Sequence, residues 1–197
     1  MPKVATGIIL ATAGVGLVLL AVSQVEGQRY AYQPLRVPIA LIKGQAVAAA
    51  FQTNVRGRYY IHLEFLRSIP WQQLEPYVGL DKPTPIRVSW QLLQSRREVA
   101  SGSTEGPPLG GYGNGQSFGI TIGQFDATRG ASYQLRAQVH ATIPALAQTD
   151  PHVQIDPERG SLEHHYIKSW LLGWSGIAAV AGSAIGALTL MVRRLLI

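Results

Sequence analysis

Five histidines and eleven carboxylates are the side chains of this chain that could do acid–base or metal chemistry. The histidines are His62, His140, His152, His164 and His165, and none falls into HExxH or another tight ligand spacing. His164 and His165 are adjacent, and adjacent residues on a helix point in different directions, so the pair is a poor chelate by itself. There is no cysteine, which excludes a disulfide framework, a thiolate nucleophile and a cysteine-ligated metal. No GxSxG elbow occurs. The glycine-rich stretch 101–116 holds no Lys or His and leads no strand into a helix, so it is not a phosphate-binding loop. Asp156, Glu158 and Glu163 belong to a polar link, DPERGSLEHHYIK, and no close carboxylate pair is placed to line a cleft. Nothing in these spacings calls for a cofactor or a metal, and the chain reads as non-enzymatic.

The formal charge is +6, but its basic residues are dispersed with no run of four, so a nucleic-acid partner is not indicated. Charged residues make up only 14 % of the chain, against about 25 % in average proteins. Two uncharged stretches explain the deficit: VATGIILATAGVGLVLLAV at 4–22 and SWLLGWSGIAAVAGSAIGALTLMV at 169–192. Each exceeds the roughly 18 apolar residues that mark a candidate membrane span. Trp170 and Trp174 open the second stretch, where interfacial anchors are common. Lys3 precedes the first stretch and Arg193 and Arg194 follow the second, so the positive-inside rule places both ends in the cytoplasm. A cleavable signal peptide with AVS at 21–23 is the competing reading of the first stretch. Its apolar run is longer than the roughly 7–15 residues of a signal core, which favours a retained anchor. Gly182 and Gly186 form a GxxxG, with Thr12 and Gly16 a looser pair, and such faces let helices pack closely.

Between the spans the sequence alternates. Ile61, Leu63 and Phe65 share one side of 58–66, with Tyr60, His62 and Glu64 on the other, which predicts an exposed His62. The same period of two recurs at 86–92, 118–122 and 133–139, and more weakly near 36–42, 47–55 and 152–155. About seven short strands predict an all-β, immunoglobulin-like sandwich. In FDATRGASY, Gly130 supplies a turn and Tyr133 opens a strand, the arrangement of a tyrosine corner. NVRGRYYIHLEF, with Gly57 before Tyr59 and Tyr60, repeats it. Two long loops remain, 67–81 with a short helix at Trp71–Tyr77, and the Gly/Pro-rich 101–116. Long exposed loops are where binding occurs, so Trp71, Tyr77 and Tyr112 are the candidate protein-binding residues.

The resulting division is a cytoplasmic start at 1–3, a span at 4–23 and a linker at 24–33. The sandwich follows at 34–156, then a linker at 157–168, a span at 169–192 and a cytoplasmic end at 193–197.

The middle domain resembles a bacterial family of small exported β-sandwich domains of unknown function. The residues that carry the likeness are Gly57-Arg58-Tyr59 with Leu63 and Phe65, and Pro85, Ile86, Val88 and Leu92. Phe125, Gly130, Tyr133 and Leu135, then Pro144 and Leu146, complete it over about 34–156. Some members of such families look like immunity partners of secreted toxins. The resemblance therefore implies an inner-membrane protein whose periplasmic domain binds a protein, a toxin among the candidates. The alternative is an accessory subunit of a larger inner-membrane complex.

Overall fold

The computed structural model describes residues 2–30, 32–78, 84–106, 108–113 and 116–195. The chain divides into two compact units, one formed by 1–31 with 162–197 and the other by 32–161. It is mixed in class, since two long apolar helices accompany two antiparallel sheets. The expected all-β domain with flanking helices is met in part, since the middle unit adds a short helix to its two sheets.

The helical unit consists of α1 (Pro2–Tyr30) and the greater part of α3 (Arg159–Leu195). Over Val4–Gln28 and Leu162–Arg193 the two helices are long and apolar enough to cross a membrane. Both run past the uncharged stretches, so the segments 24–30 and 159–168, expected as linkers, are helical. The helix backbones touch at Gly16 and Gly176, where a Cβ on Gly176 would lie 2.8 Å from the Gly16 carbonyl oxygen. Gly182 faces open space and makes no such contact, whereas Gly186 packs beside Ile9. Of the expected small-residue positions, Gly16 lies at the crossing and Gly186 packs on α1, whereas Gly182 does not; the partner glycine, Gly176, lies outside both motifs. Ser23 and Ser169 lock the pair reciprocally. Each Oγ donates to the other residue's carbonyl, at 2.8 and 3.0 Å. Glu26 is buried and accepts from Lys168 Nζ at 3.1 Å, and its other oxygen lies 2.6 Å from His165 Nδ1.

The middle unit holds β1 (Leu35–Pro38), β2 (Ala46–Gln52), β3 (Gly57–Leu66), β4 (Val88–Gln94), β5 (Arg97–Ser103), β6 (Gly110–Gly113), β7 (Ser117–Ala127), β8 (Ser132–Val139) and β9 (His152–Pro157). A short helix α2 (Trp71–Val78) and a 3₁₀ turn at Pro144–Thr149 complete it. One sheet runs β1-β9-β3-β7-β6 and the other β2-β8-β4-β5. β5 and β6 lie in or overlap the stretch expected to be a loop. Their Gly and Ser content hides the alternation.

The pairing is nested. β1 pairs with β9, β2 with β8, β3 with β7 and β4 with β5, all antiparallel. In the immunoglobulin order the first strand instead pairs with its immediate successor. The immunoglobulin-like topology is therefore corrected. Strand count and alternation are the same for both orders, and long-range pairing alone separates them.

The apolar sides of both sheets contribute to one core. Tyr59, Ile61, Leu63 and Phe65 come from β3, and Val88, Trp90 and Leu92 from β4. Leu135, Ala137 and Val139 come from β8, with Leu74 of α2 and Leu146 of the 3₁₀ turn closing it. A bulge opposite Ile61 and His62 adds one residue to β7, so its apolar phase shifts from Phe118 and Ile120 to Phe125 and Ala127. The Trp90 indole fills the adjoining space. A Cβ on Gly123 would sit 2.2 Å from that ring, and its Nε1–H donates to the Ile122 carbonyl at 3.0 Å.

Gly130 has φ +79°, the left-handed turn expected of it, and its N–H donates to the Thr53 carbonyl at 2.6 Å. Tyr133 is buried and stacks on Phe51 at 5.6 Å. The upstream hydroxyl bond of a tyrosine corner belongs to the other candidate, however. The Tyr59 hydroxyl donates to the Val55 carbonyl at 3.0 Å, four residues back. Burial pushes that phenol up to about 12.

Candidate functional site

The polar residues of the five-stranded sheet converge on the side opposite its core. Cross-strand register places Thr121 beside His62, His62 beside Gln154 and Gln154 beside Arg36. One row over stand Tyr112, Gly119, Glu64 and His152, and Tyr60 lies opposite Asp156. The alternation in β3 sends Tyr60, His62 and Glu64 to this side, and the matching alternation in β9 sends His152, Gln154 and Asp156 to meet them.

His62 is only 8 % exposed, a correction to the expectation of an exposed side chain. Its strand is central in the sheet, and its neighbours close over it. The Tyr112 ring meets it edge-on at 4.9 Å, and the Tyr60 ring lies 6.0 Å away. Gly119 makes the first approach feasible, since a Cβ there would fall 2.5 Å from the Tyr112 ring. His62 Nδ1 lies 3.0 Å from Thr121 Oγ1, and Nε2 lies 4.0 Å from an Asp156 carboxylate oxygen. Burial drives the His62 pKa down to about 4, with Glu64 opposing and Arg159 adding to the drop. Burial likewise raises Asp156 above the usual carboxylate range, opposed by the hydrogen bond from Gln154.

Arg36 Nε donates to Glu64 Oε2 at 2.8 Å, and the Tyr60 hydroxyl donates to Glu158 Oε1 at 3.2 Å. Two buried atoms here have no hydrogen-bond partner among the described residues, Tyr112 Oη and Gln154 Oε1. The Tyr112 phenol is raised far above its ordinary value, by burial first and by Glu64 and Asp156 second.

Thr121, His62 and Asp156 thus place a hydroxyl, an imidazole and a carboxyl in line. A general base works best with a pKa near the operating pH. An imidazole held near 4 is a weak base at neutral pH, and the Asp156 contact exceeds hydrogen-bond length. The arrangement ties polar groups together and offers Gln154 Oε1 as a free acceptor. Among the described residues no group of three His, Cys, Asp or Glu side chains is placed to hold a metal ion.

The candidates named from sequence are scattered. Tyr112 joins the polar cluster from β6 rather than from a loop. Trp71 opens α2 and is 46 % exposed, its ring edge-on to Phe118 at 5.9 Å. Tyr77 is half-buried in α2, and its carbonyl accepts from the Thr84 hydroxyl. Trp170 and Trp174 are exposed on α3 with ring centres 6.3 Å apart. His62, Thr121, Gln154 and Asp156 were not singled out as a group. Their only signal was the polar half of three alternating runs, and the pairing of β3 with β7 and β9 lies far from local spacing.

No family profile matches the chain, and no curated protein is similar to it. Among solved structures, a protein from Sulfurospirillum deleyianum aligns with a TM-score of 0.46 at 11 % identity, over 64 % of this chain and 97 % of that one. The D1–D2–D3 domains of the flagellar cap protein from Escherichia coli align with a TM-score of 0.23 at 7 % identity, over 90 % of this chain and 72 % of that one. At these scores neither likeness carries an argument about fold or function.

Proposed function

We propose that this chain is a two-span bacterial inner-membrane protein whose middle domain faces the periplasm and binds another protein. The domain is read as a β-sandwich of the jelly-roll kind, a fold whose nested strand pairing agrees with the order described above. The observation that carries the binding reading is Trp71. It is half exposed, yet its ring is braced on Phe118, which itself stacks on Phe65 at 5.2 Å. A rigid, exposed tryptophan costs little entropy to dock and is the residue type most enriched in interface hot spots. A secreted toxin is the partner class the family resemblance suggests, which makes the protein an immunity protein.

The test is affinity purification of the tagged full chain in mild detergent, followed by mass spectrometry, alongside Trp71→Ala. One secreted protein captured by the wild type and weakened tenfold or more by the variant supports the reading. Loss of at least 1.4 kcal/mol corresponds to that factor. Capture that Trp71→Ala leaves unchanged overturns Trp71 as the anchor.

The second reading, an accessory subunit of a membrane complex, draws on Gly7, Gly14 and Gly182, beside which the structure leaves open space. Small residues of this kind admit another helix at close range. Integral membrane proteins captured at constant ratio favour this reading over the first.

A further inference from the structure

The two sheets end in four edge strands, β1, β6, β2 and β5. Exposed edges invite pairing with other chains, and folded proteins blunt them by shortness, charge, proline or bulges. β1 has four residues and carries Arg36 and Pro38. β6 also has four residues, three of them glycine. β5 begins with Arg97 and Glu98, and its pairing with β4 contains an irregularity. β2, AVAAAFQ, has seven residues, no charge, no proline and an unbroken register with β8.

The direction of its backbone groups follows from its ends. The Gln45 carbonyl accepts from Val139 N–H, and Thr53 N–H donates to the Ala131 carbonyl. Odd-numbered residues therefore bond toward β8, and Ala46, Ala48 and Ala50 present N–H and C=O at the free edge. Their side chains are exposed. The open stretch is bounded on both sides. The Tyr32 hydroxyl occupies the Gln52 carbonyl, and Gly44 N–H is bonded to the Val139 carbonyl at 2.9 Å.

We propose that this edge pairs with β2 of a second copy of the chain, antiparallel and centred on Ala48. The register follows from the ends of β2. Centring on Ala50 would set Ala46 opposite position 54, past the end of β2, and centring on Ala46 would set Ala50 opposite position 42, before its start. Centring on Ala48 sets Ala46 of one copy opposite Ala50 of the other, and the N–H and C=O of Ala46, Ala48 and Ala50 all find partners.

The pairing is self-complementary, as a two-fold interface must be. It opposes alanine with alanine and brings no charge against like charge. Within β2 and β8, the like charges that face each other across the pair are the two Arg136 side chains, one strand further in on each copy. They stand three strand spacings apart, roughly 14 Å, beyond the screening length of about 8 Å in physiological salt. One strand pair buries less than a standard interface of about 1,600 Å². The dimer therefore relies on both copies sharing one bilayer, which raises their effective concentration. In that respect the inference rests on the two-span reading, although not on the identity of any other partner.

The chain has no cysteine, so single-cysteine variants report this contact without background. Full-length variants are reconstituted in lipid vesicles and treated with a short thiol-to-thiol crosslinker. In a hydrogen-bonded antiparallel pair the two Ala48 Cα atoms lie about 5.5 Å apart, whereas the two Ala46 atoms lie roughly 14 Å apart. Ala48→Cys is expected to crosslink at least tenfold more than Ala46→Cys, and Ala46→Cys mixed with Ala50→Cys is expected to crosslink efficiently. Equal yields at positions 46 and 48, and at Val99 on the opposite edge, indicate random collision and overturn the proposal. So does no dimer at position 48. Ala48→Lys places a charge on an exposed position and is expected to cut dimer formation, read by energy transfer between labelled copies, at least tenfold at unchanged melting temperature. Unchanged energy transfer overturns the proposal, and a two-span topology that survives such a result leaves the membrane reading intact.

Discussion

Burial of His62 gives the middle domain a pH dependence whose sign can be worked out. An unfolded histidine titrates near 6.5, and the folded one titrates at about 4. Between those values the unfolded chain holds more protons, so stability rises with pH. The contribution is complete above 6.5, is lost as pH falls through this window, and is flat below 4. A gap of this size corresponds to roughly 3 kcal/mol. Asp156 works in the opposite direction, because its raised pKa lets the folded carboxyl keep a proton longer. The comparison is therefore His62→Gln against wild type. The wild type should lose melting temperature from pH 6.5 to 4, and the variant should lose much less. Equal slopes would place His62 in solvent contact. Tyr59 offers a second test. Tyr59→Phe removes the hydroxyl and leaves the Val55 carbonyl unpaired, a cost of about 1–2 kcal/mol in denaturant unfolding. At Tyr133 the same change should cost less, because the corner bond is not made there.

Among the elements, the helix pair shows what a small-residue motif does and does not tell. Of the small residues expected to pack, Gly16 meets Gly176 and Gly186 lies beside Ile9, whereas Gly182 touches nothing. Ser23→Cys with Ser169→Cys should form a disulfide within one chain, since their hydroxyls lie 3.5 Å apart. Adding Gly16→Leu should suppress it, as even a Cβ at this position lies 2.8 Å from Val180. Gly182→Leu should leave it unchanged. Equal suppression by both would move the seam. In the sheets, the strands whose apolar and polar residues alternate strictly were legible, β3 and β8 above all. β5 and β6 were not, because glycine and serine carry no periodic signal.

For the molecule as a whole, the charge bias at the chain ends predicts which side of the membrane each part occupies. Lys3→Cys should resist a membrane-impermeant maleimide in intact cells stripped of their outer membrane. Ser101→Cys, in the middle domain, should react. Reaction at both positions would mean that the first helix is translocated whole, and reaction at Lys3→Cys alone would mean the reverse orientation.

Much of this protein was determined by local sequence. Two uncharged runs produce the long apolar helices, period two produces β3, β4, β7 and β8, and Gly130 produces its turn. These follow from hydrophobic burial and backbone sterics acting over a few residues. Only the tertiary structure decided the nested strand order, the shift of phase at the β7 bulge, the burial of His62 against Tyr112 and Asp156, and the open edge of β2. Each of these depends on which distant segments lie side by side. Alternation says which face a residue occupies, but not which strand stands next to it.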